Sequence, residues 1–294
     1  MFRAEIGVIG GSGLYAMEAL EEARELVMET PYGRPSDSIV AGAVSGVPVV
    51  FLARHGRGHR LLPAEVPYRA NIHAMKQLGV RYLLSVSAVG SLCEEIAPLD
   101  IVLPDQFIDL TRQRASSFFG DGAVAHVSMA QPVCPNVRLA LAEAVASAGE
   151  APAGGLHQSG TYVCIDGPQF SSLAESQWYR SMGAQVIGMT NMPEAKLARE
   201  AQIAYATLAM VTDYDCWHPV EANVSADLAL RNLMHNAERA QKIIAATVAR
   251  LGREQPASPA HRALADALVT RPQDMTEARR SDLAVLLKPN DRPG

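Results

Sequence analysis

The stretch GAQVIGMTNMPEAKLAREAQIAYATLAMVTDYDCW, Gly183 to Trp217, constrains this chain most, because it sets polar clusters at the ends of two apolar segments. Ala184 to Met189 is short, largely apolar and ends on Met-Thr-Asn. Pro193 then sits where a first helical turn tolerates proline, and Glu194 suits the positive helix start, which predicts a helix running to about Ala201. Ile203 to Val211 is apolar almost throughout, as a central parallel strand covered on both faces must be, and it discharges into Thr212-Asp213-Tyr214-Asp215. One strand, helix, strand unit is expected, with Met189, Thr190, Asp213 and Asp215 gathered at one sheet edge. In open α/β sheets the ligand crevice lies outside the carboxyl ends of the strands, so this edge is the predicted active site.

The totals narrow the classes of partner. At 294 residues the chain can bury a large core. Its net charge of -5 leaves no basic field for a nucleic-acid backbone. No apolar run approaches the roughly 18 residues of a membrane span, and MFRAEIGVIGG enters a strand-like segment without a signal-peptide layout. A cytoplasmic protein with neither nucleic acid nor membrane as partner is expected. Cys93, Cys134, Cys164 and Cys216 are scattered, with no C-x-x-C pair, and read as reduced and structural.

Several further clusters stand at the ends of apolar runs. In EIGVIGGSG, Glu5 to Gly13, a backbone stripped of side chains can wrap an anion with its N-H groups, and Ser12 adds a hydroxyl. Gly11, Gly13 and Ala16 also satisfy the loose form of a dinucleotide fingerprint, which keeps a nicotinamide enzyme as a rival reading; Glu18 to Glu29, acidic and helix-like, offers no second strand for it. Ser45-Gly46 marks a hairpin whose second strand delivers Arg54-His55-Gly56-Arg57-Gly58-His59, a loop suited to an anion or simply solvated. Gly56 and Gly58 argue against the helix that a His55/His59 metal pair needs, so no metal is expected. Pro67 to Leu78 reads as a helix, and the strand after it, Val80 to Ala88, ends in Ser87-Ala88-Val89-Gly90-Ser91. Arg112 to Gly122 looks like a long surface loop, with His126 just beyond it. Thr161 to Asp166 is a strand running into Phe170, a ring that is either core or a platform for a base. Ser225 can cap a long packing helix reaching about Leu251. Beyond Gly252, prolines punctuate an Arg-rich tail with two short helices, Ala260 to Val269 and Thr276 to Leu287, the second preceded by Asp274 with Glu277 in capping-box register.

With these clusters in place, the chain resembles the trimeric purine nucleoside phosphorylases, and most closely their 5'-methylthioadenosine phosphorylase branch. The likeness runs through IGGSGL, FLARHGRGH, VPYRANIHAMKQLG, SVSAVGSL, LPDQFIDLT, GTYVCIDGPQFSS, AQVIGMTNMPEAKLARE and MVTDYDCW, in family order, from about Ile6 to Leu251. It implies an α/β fold, a single large domain over residues 1–252 with a central mixed, largely parallel sheet flanked by helices, purine nucleoside phosphorylase-like. Residues 253–294 are then a C-terminal extension, read as helical and without an assigned role.

The resemblance also implies roles. Ser12, Arg54, His55, Ser87, Ala88 and Thr190 would hold inorganic phosphate, a co-substrate, with no cofactor. Met189 would line the ribose, Phe170 would face the purine, and Asp213 and Asp215 would meet the base. His126 would reach the 5' substituent in a neighbouring subunit of a homotrimer. Ala226 and Ala229, where close relatives typically carry valines, would face that substituent beside Leu230, in a roomier apolar pocket. Such a pocket discriminates only by roughly 10 to 200-fold, so adenosine or 5'-deoxyadenosine could also react.

The chemistry agrees with that assignment. Phosphorolysis of an N-glycosidic bond needs phosphate held in line behind C1' and a leaving purine stabilised as its electrons arrive. A carboxyl group near N7, desolvated beside a second carboxylate, gains the proton affinity for that task, which points to Asp213; the Asp-x-Asp pair could instead cap a turn, a role Asp215 could share. A carboxylate accepts from the 6-amino group of adenine and sets acceptor against acceptor at a 6-oxo group, so the expected product is adenine with 5-methylthioribose 1-phosphate. The alternatives are a 6-oxopurine or 5'-methylthioinosine phosphorylase and, more remotely, the nicotinamide-dependent oxidoreductase.

Overall fold

In a computed structural model the chain is described over residues 2–11, 13–14, 17–147, 155–219 and 226–290, with the backbone alone for 226–235. In chain order the strands are β1 (Ile6–Gly10), β2 (Leu20–Leu26), β3 (Ile39–Val44), β4 (Val47–Ala53), β5 (Tyr82–Ser91), β6 (Ile101–Val102), β7 (Gln106–Asp109), β8 (Leu156–His157), β9 (Thr161–Cys164), β10 (Val186–Gly188) and β11 (Ala204–Asp213). The α-helices are α1 (Tyr68–Gln77), α2 (Pro135–Ser147), α3 (Leu173–Ser181), α4 (Asn191–Glu200), α5 (Ala226–Glu254) and α6 (Glu277–Leu283).

Alternate residues of the central strands point to opposite layers, as the pleat requires. Leu83 and Tyr205 pack with Ile72 and Met75 of α1 and Leu197 of α4. Tyr82, Leu84, Ala204 and Ala206 face Val137 and Leu141 of α2 and Ile244 and Val248 of α5. Apolar runs with no polar alternation, such as the wholly buried β11, arise from this two-sided cover. The described residues form one α/β domain around a mixed sheet.

The site follows from how strands meet along β5. On one edge, β11 pairs with it in parallel from Ala204 opposite Tyr82 to Asp213 opposite Gly90. On the other edge, parallel β1 stops with Ile9 opposite Ser85, and β10 arrives from the opposite direction, with Ile187 opposite Gly90. Between these two strand ends, no described strand pairs with Val86 to Val89 on that edge. Ala88 is exposed although its neighbours Ser87 and Val89 are buried. A cleft therefore reaches the middle of the sheet.

This geometry corrects part of the sequence reading. β10 is antiparallel to β5, and hence to β11, so β10, α4 and β11 do not form a parallel crossover. The polar clusters still converge, because β10 is short and runs back along only the last residues of β5, ending beside its open stretch. Leu20–Leu26, expected as helix, is an exposed edge strand bonded to β3, and its charges are what such an edge carries to avoid further pairing. In the tail, Pro259–Arg262 is a single 3-10 turn in place of the longer helix. The next helix ends at Leu283 and is capped by Thr276, whose hydroxyl accepts from the Arg279 N-H.

Candidate active site

Arg54 follows directly on β4 and is sealed inside. Its guanidinium donates to Glu194 through Nε at 2.8 Å and Nη2 at 3.0 Å, to Ser85 Oγ at 2.7 Å and to the Val86 carbonyl at 3.0 Å. Tyr205 donates to the same carboxylate at 2.9 Å. Glu194, read from sequence as a helix-dipole residue, is thus the counter-ion that fixes Arg54 behind the open edge of β5. His55 donates from Nδ1 to the Leu61 carbonyl at 2.9 Å, since a carbonyl only accepts, and its ring stacks on His59 at 4.3 Å. Burial, together with the charge of Arg54, lowers its pKa to about 4, so the imidazole is neutral at neutral pH.

Ser87 and Thr190 bring two hydroxyls to the open edge, 3.1 Å apart. Behind Thr190, Asn191 lies fully buried; its Oδ1 accepts from Thr190 at 3.4 Å, and its Nδ2 donates to Thr207 on β11. With Arg54 beneath and the exposed Ala88 between, these two hydroxyls are neutral donors suited to an oxyanion.

The carboxylate end lies three residues further along β5. A bulge between Val211 and Asp213 re-aims the end of β11. Asp213 is 5 % exposed; it accepts from the Asp215 N-H at 2.8 Å and from Thr212 Oγ1 at 2.7 Å. The turn-capping role considered for the pair therefore falls to Asp213, while Asp215 takes a left-handed backbone at φ 53°. Burial raises the pKa of Asp213 against those two hydrogen bonds, and the neighbouring Asp215 raises it further. Asp215 is raised by burial as well.

Met189 follows directly on β10, and Phe170 stands in the loop between β9 and α3. The Met189 thioether fills the space where a side chain on Gly167 would stand. Phe170 is 45 % exposed, which settles its two readings against core. The adjoining Ser171 carbonyl accepts from Cys216 Sγ at 3.3 Å, joining this loop to the Asp215 turn.

Arg114 was missed, because polar, Gly-rich surroundings read as solvated loop. Its side chain is 1 % exposed, and its two Nη atoms reach the carbonyls of Met189 at 2.7 Å, Met192 at 2.6 Å, Ile165 at 3.2 Å and Asp166 at 2.9 Å, and the Tyr68 hydroxyl at 3.2 Å. One guanidinium thus ties the loop after β9 to the one after β10. The only sequence signal was an arginine next to two serines and two aromatics, which does not reveal a clamp.

Not every predicted residue joins this cluster. Ser12 lies outside the described residues, and Ala226, Ala229 and Leu230 lie on α5 where the backbone alone is described. His126 is exposed, and its N-H donates to the Ala267 carbonyl at 2.8 Å, so within one chain it sits with the tail.

Anion-ready hydroxyls and a raised carboxyl pair, gathered where β10 and β11 end beside β5, are the arrangement of a nucleoside-cleaving transferase. The chain belongs to the phosphorylase superfamily, whose sequence profile matches residues 5–249. Within that superfamily its relatives include methylthioadenosine phosphorylases. It is 58 % identical to the S-methyl-5'-thioadenosine phosphorylase of Thermosynechococcus vestitus over 97 % of this chain and 98 % of that one. A methylthioadenosine phosphorylase structure from an antarctic soil metagenomic library superposes with a TM-score of 0.95 at 62 % identity, covering 98 % and 100 % of the two chains. The Schistosoma mansoni methylthioadenosine phosphorylase in complex with adenine gives 0.82 at 33 % identity, covering 97 % and 98 %. The first of these likenesses extends over the tail as well, beyond the reach of the motifs read from sequence.

Proposed function

We propose that this protein catalyses phosphorolysis of 5'-methylthioadenosine to adenine and 5-methylthioribose 1-phosphate. The observation that carries the reading is the spacing along β5. Ser87, with its anion-ready partner Thr190, and Gly90, against which Asp213 packs, are three residues apart, roughly 10 Å of extended strand. That span accommodates a phosphate, an anomeric carbon and a purine in line. Phosphate is held by Ser87, Thr190, the Ala88 backbone and the Arg54-His55 segment, with Ser12 closing the glycine loop. A charge-compensated Arg54 and a neutral His55 leave the bound phosphate its nucleophilicity. As the C1'–N9 bond breaks, the electron pair moves into the purine. Asp213, held protonated more readily than an ordinary carboxyl, donates at N7, and Asp215 accepts from the 6-amino group. Met189 and Phe170 position ribose and base.

No cofactor is required, since the co-substrate supplies the nucleophile. The protein works in the cytoplasm as a homotrimer, in which the exposed His126 reaches the 5' substituent held by a neighbouring subunit beside its Ala226, Ala229 and Leu230. The test is base release by chromatography from 5'-methylthioadenosine and 5'-methylthioinosine, with and without phosphate, in wild type and Asp213→Asn. Phosphate-dependent adenine release that is lost in the variant is expected. Preferential hypoxanthine release would overturn the base assignment, and release without phosphate would replace phosphorolysis by hydrolysis.

A further inference from the structure

The phenol of Tyr162 crosses from β9 over β10 toward β5. It is fully buried, with its ring edge-on to Phe107 at 5.7 Å between centroids. Its hydroxyl lies 3.3 Å from Ser87 Oγ and 3.5 Å from the Thr190 nitrogen, which donates to it. The Thr190 side chain also hydrogen-bonds to it, so its partners belong to the anion-ready pair. The crossing requires Gly188, since a Cβ there would overlap the phenol oxygen and stand 2.7 Å from Cζ. A tyrosine whose polar tip is carried two strands away, through a gap left by glycine, serves what it touches there.

We propose that Tyr162 is a positioning residue for the phosphate co-substrate: its O-H donates to Ser87 Oγ, so that the protons of Ser87 and Thr190 both point into the cleft. The inference rests on reading this cleft as a phosphate site. A phosphate oxygen accepts, so each hydroxyl must donate to it. Left to themselves, the two hydroxyls, 3.1 Å apart, bond to each other, and Ser87 also reaches the Ala88 carbonyl at 3.2 Å. In that arrangement one of the two protons is spent inside the pair. A donor behind Ser87 competes with Thr190 for the lone pairs of Ser87 Oγ, so that a phosphate oxygen can draw the Thr190 proton away from its long, 3.4 Å bond to Asn191 Oδ1, and donation passed along a hydroxyl chain strengthens each bond.

The experiment varies phosphate and 5'-methylthioadenosine separately in wild type, Tyr162→Phe, Ser87→Ala and the double variant, with titration calorimetry of inorganic phosphate alone. Tyr162→Phe should raise the phosphate KM and Kd by about 3- to 10-fold, the scale of one neutral hydrogen bond. The nucleoside KM should stay within about twofold, and the same change in Ser87→Ala should have no further effect. A folded Tyr162→Phe with the wild-type phosphate KM, an equal rise in both KM values, or a further loss in Ser87→Ala would each overturn the role. Should Tyr162→Phe not fold, difluorotyrosine at position 162 keeps the phenol while altering its donor strength, and an unmoved phosphate KM would overturn the role again. A wild type that turns over without phosphate overturns the underlying reaction instead, so the two failures are distinguishable.

Discussion

Arg54 and Glu194, 140 positions apart in sequence, form a two-pronged ion pair with side chains 3 % and 1 % exposed. The pair joins β4 to α4 directly beneath the open edge of β5. Removing one member leaves the other charged and buried. Glu194→Ala should therefore cost about 3–5 kcal/mol in urea unfolding and raise the phosphate KM. A loss within the roughly 0–1 kcal/mol of exposed pairs would show that the pair is relaxed by solvent.

The acid role proposed for Asp213 ties activity to pH-dependent stability. A carboxyl whose pKa is raised in the fold contributes stability that is fully present below the usual carboxylate range and is lost as pH rises through the folded value. Above that folded value the ionised carboxylate burdens the fold with a buried charge. Asp213→Asn should melt at or above the wild-type temperature at pH 7, the difference shrinking as pH falls to about 4, while kcat/KM drops by about 10²–10⁴. A melting difference that does not change with pH would contradict the burial argument.

Gly90 gives Asp213 its room. A methyl there would stand 2.9 Å from Asp213 Oδ1 and 3.1 Å from Ile187 Cγ2. Gly90→Ala should fold and lose activity on the order of a hundredfold if Asp213 is the proposed proton donor, because it shifts that carboxyl by a fraction of an ångström to an ångström. Full activity in this variant would mean that the carboxyl position is not critical.

Arg114 holds the loops after β9 and β10, on which the proposed nucleoside contacts Phe170 and Met189 stand. Lysine keeps the charge but cannot serve five acceptors from a planar fork. Arg114→Lys should raise the nucleoside KM by about tenfold, the equivalent of about 1.4 kcal/mol, with the phosphate KM near wild type. Equal changes in both constants would show a general loosening of the domain.

The tail acts on its own chain's core. The Asn290 side chain donates to the carbonyls of Val80 and Gln202, both at 2.9 Å, and Gln202 in turn donates to those of Leu286 and Lys288. Asn290→Ala should lower unfolding stability by about 1–3 kcal/mol, since two buried carbonyls lose their donor. An unchanged midpoint in denaturant would place the tail's contribution elsewhere.

By itself the sequence determined everything that depends on neighbours a few residues away. Apolar runs ending in polar clusters located β1, β5, β9 and β11, Ser45-Gly46 marked a turn, and Asp213, Asp215, Ser87 and Thr190 stood out as chemistry at strand ends. Tertiary structure decided what depends on distant partners. The direction of β10 comes from its bonds to β5 and β9, and Leu20–Leu26 is a strand only because β3 lies beside it. Glu194, Arg114 and Tyr162 acquired their positions from residues 140, 75 and 75 positions away. A charge on a helix start, an arginine in a loop and a tyrosine in a strand look alike wherever they occur. Burial against a particular partner gives each its role, because only there does leaving a polar group unpaired carry a cost.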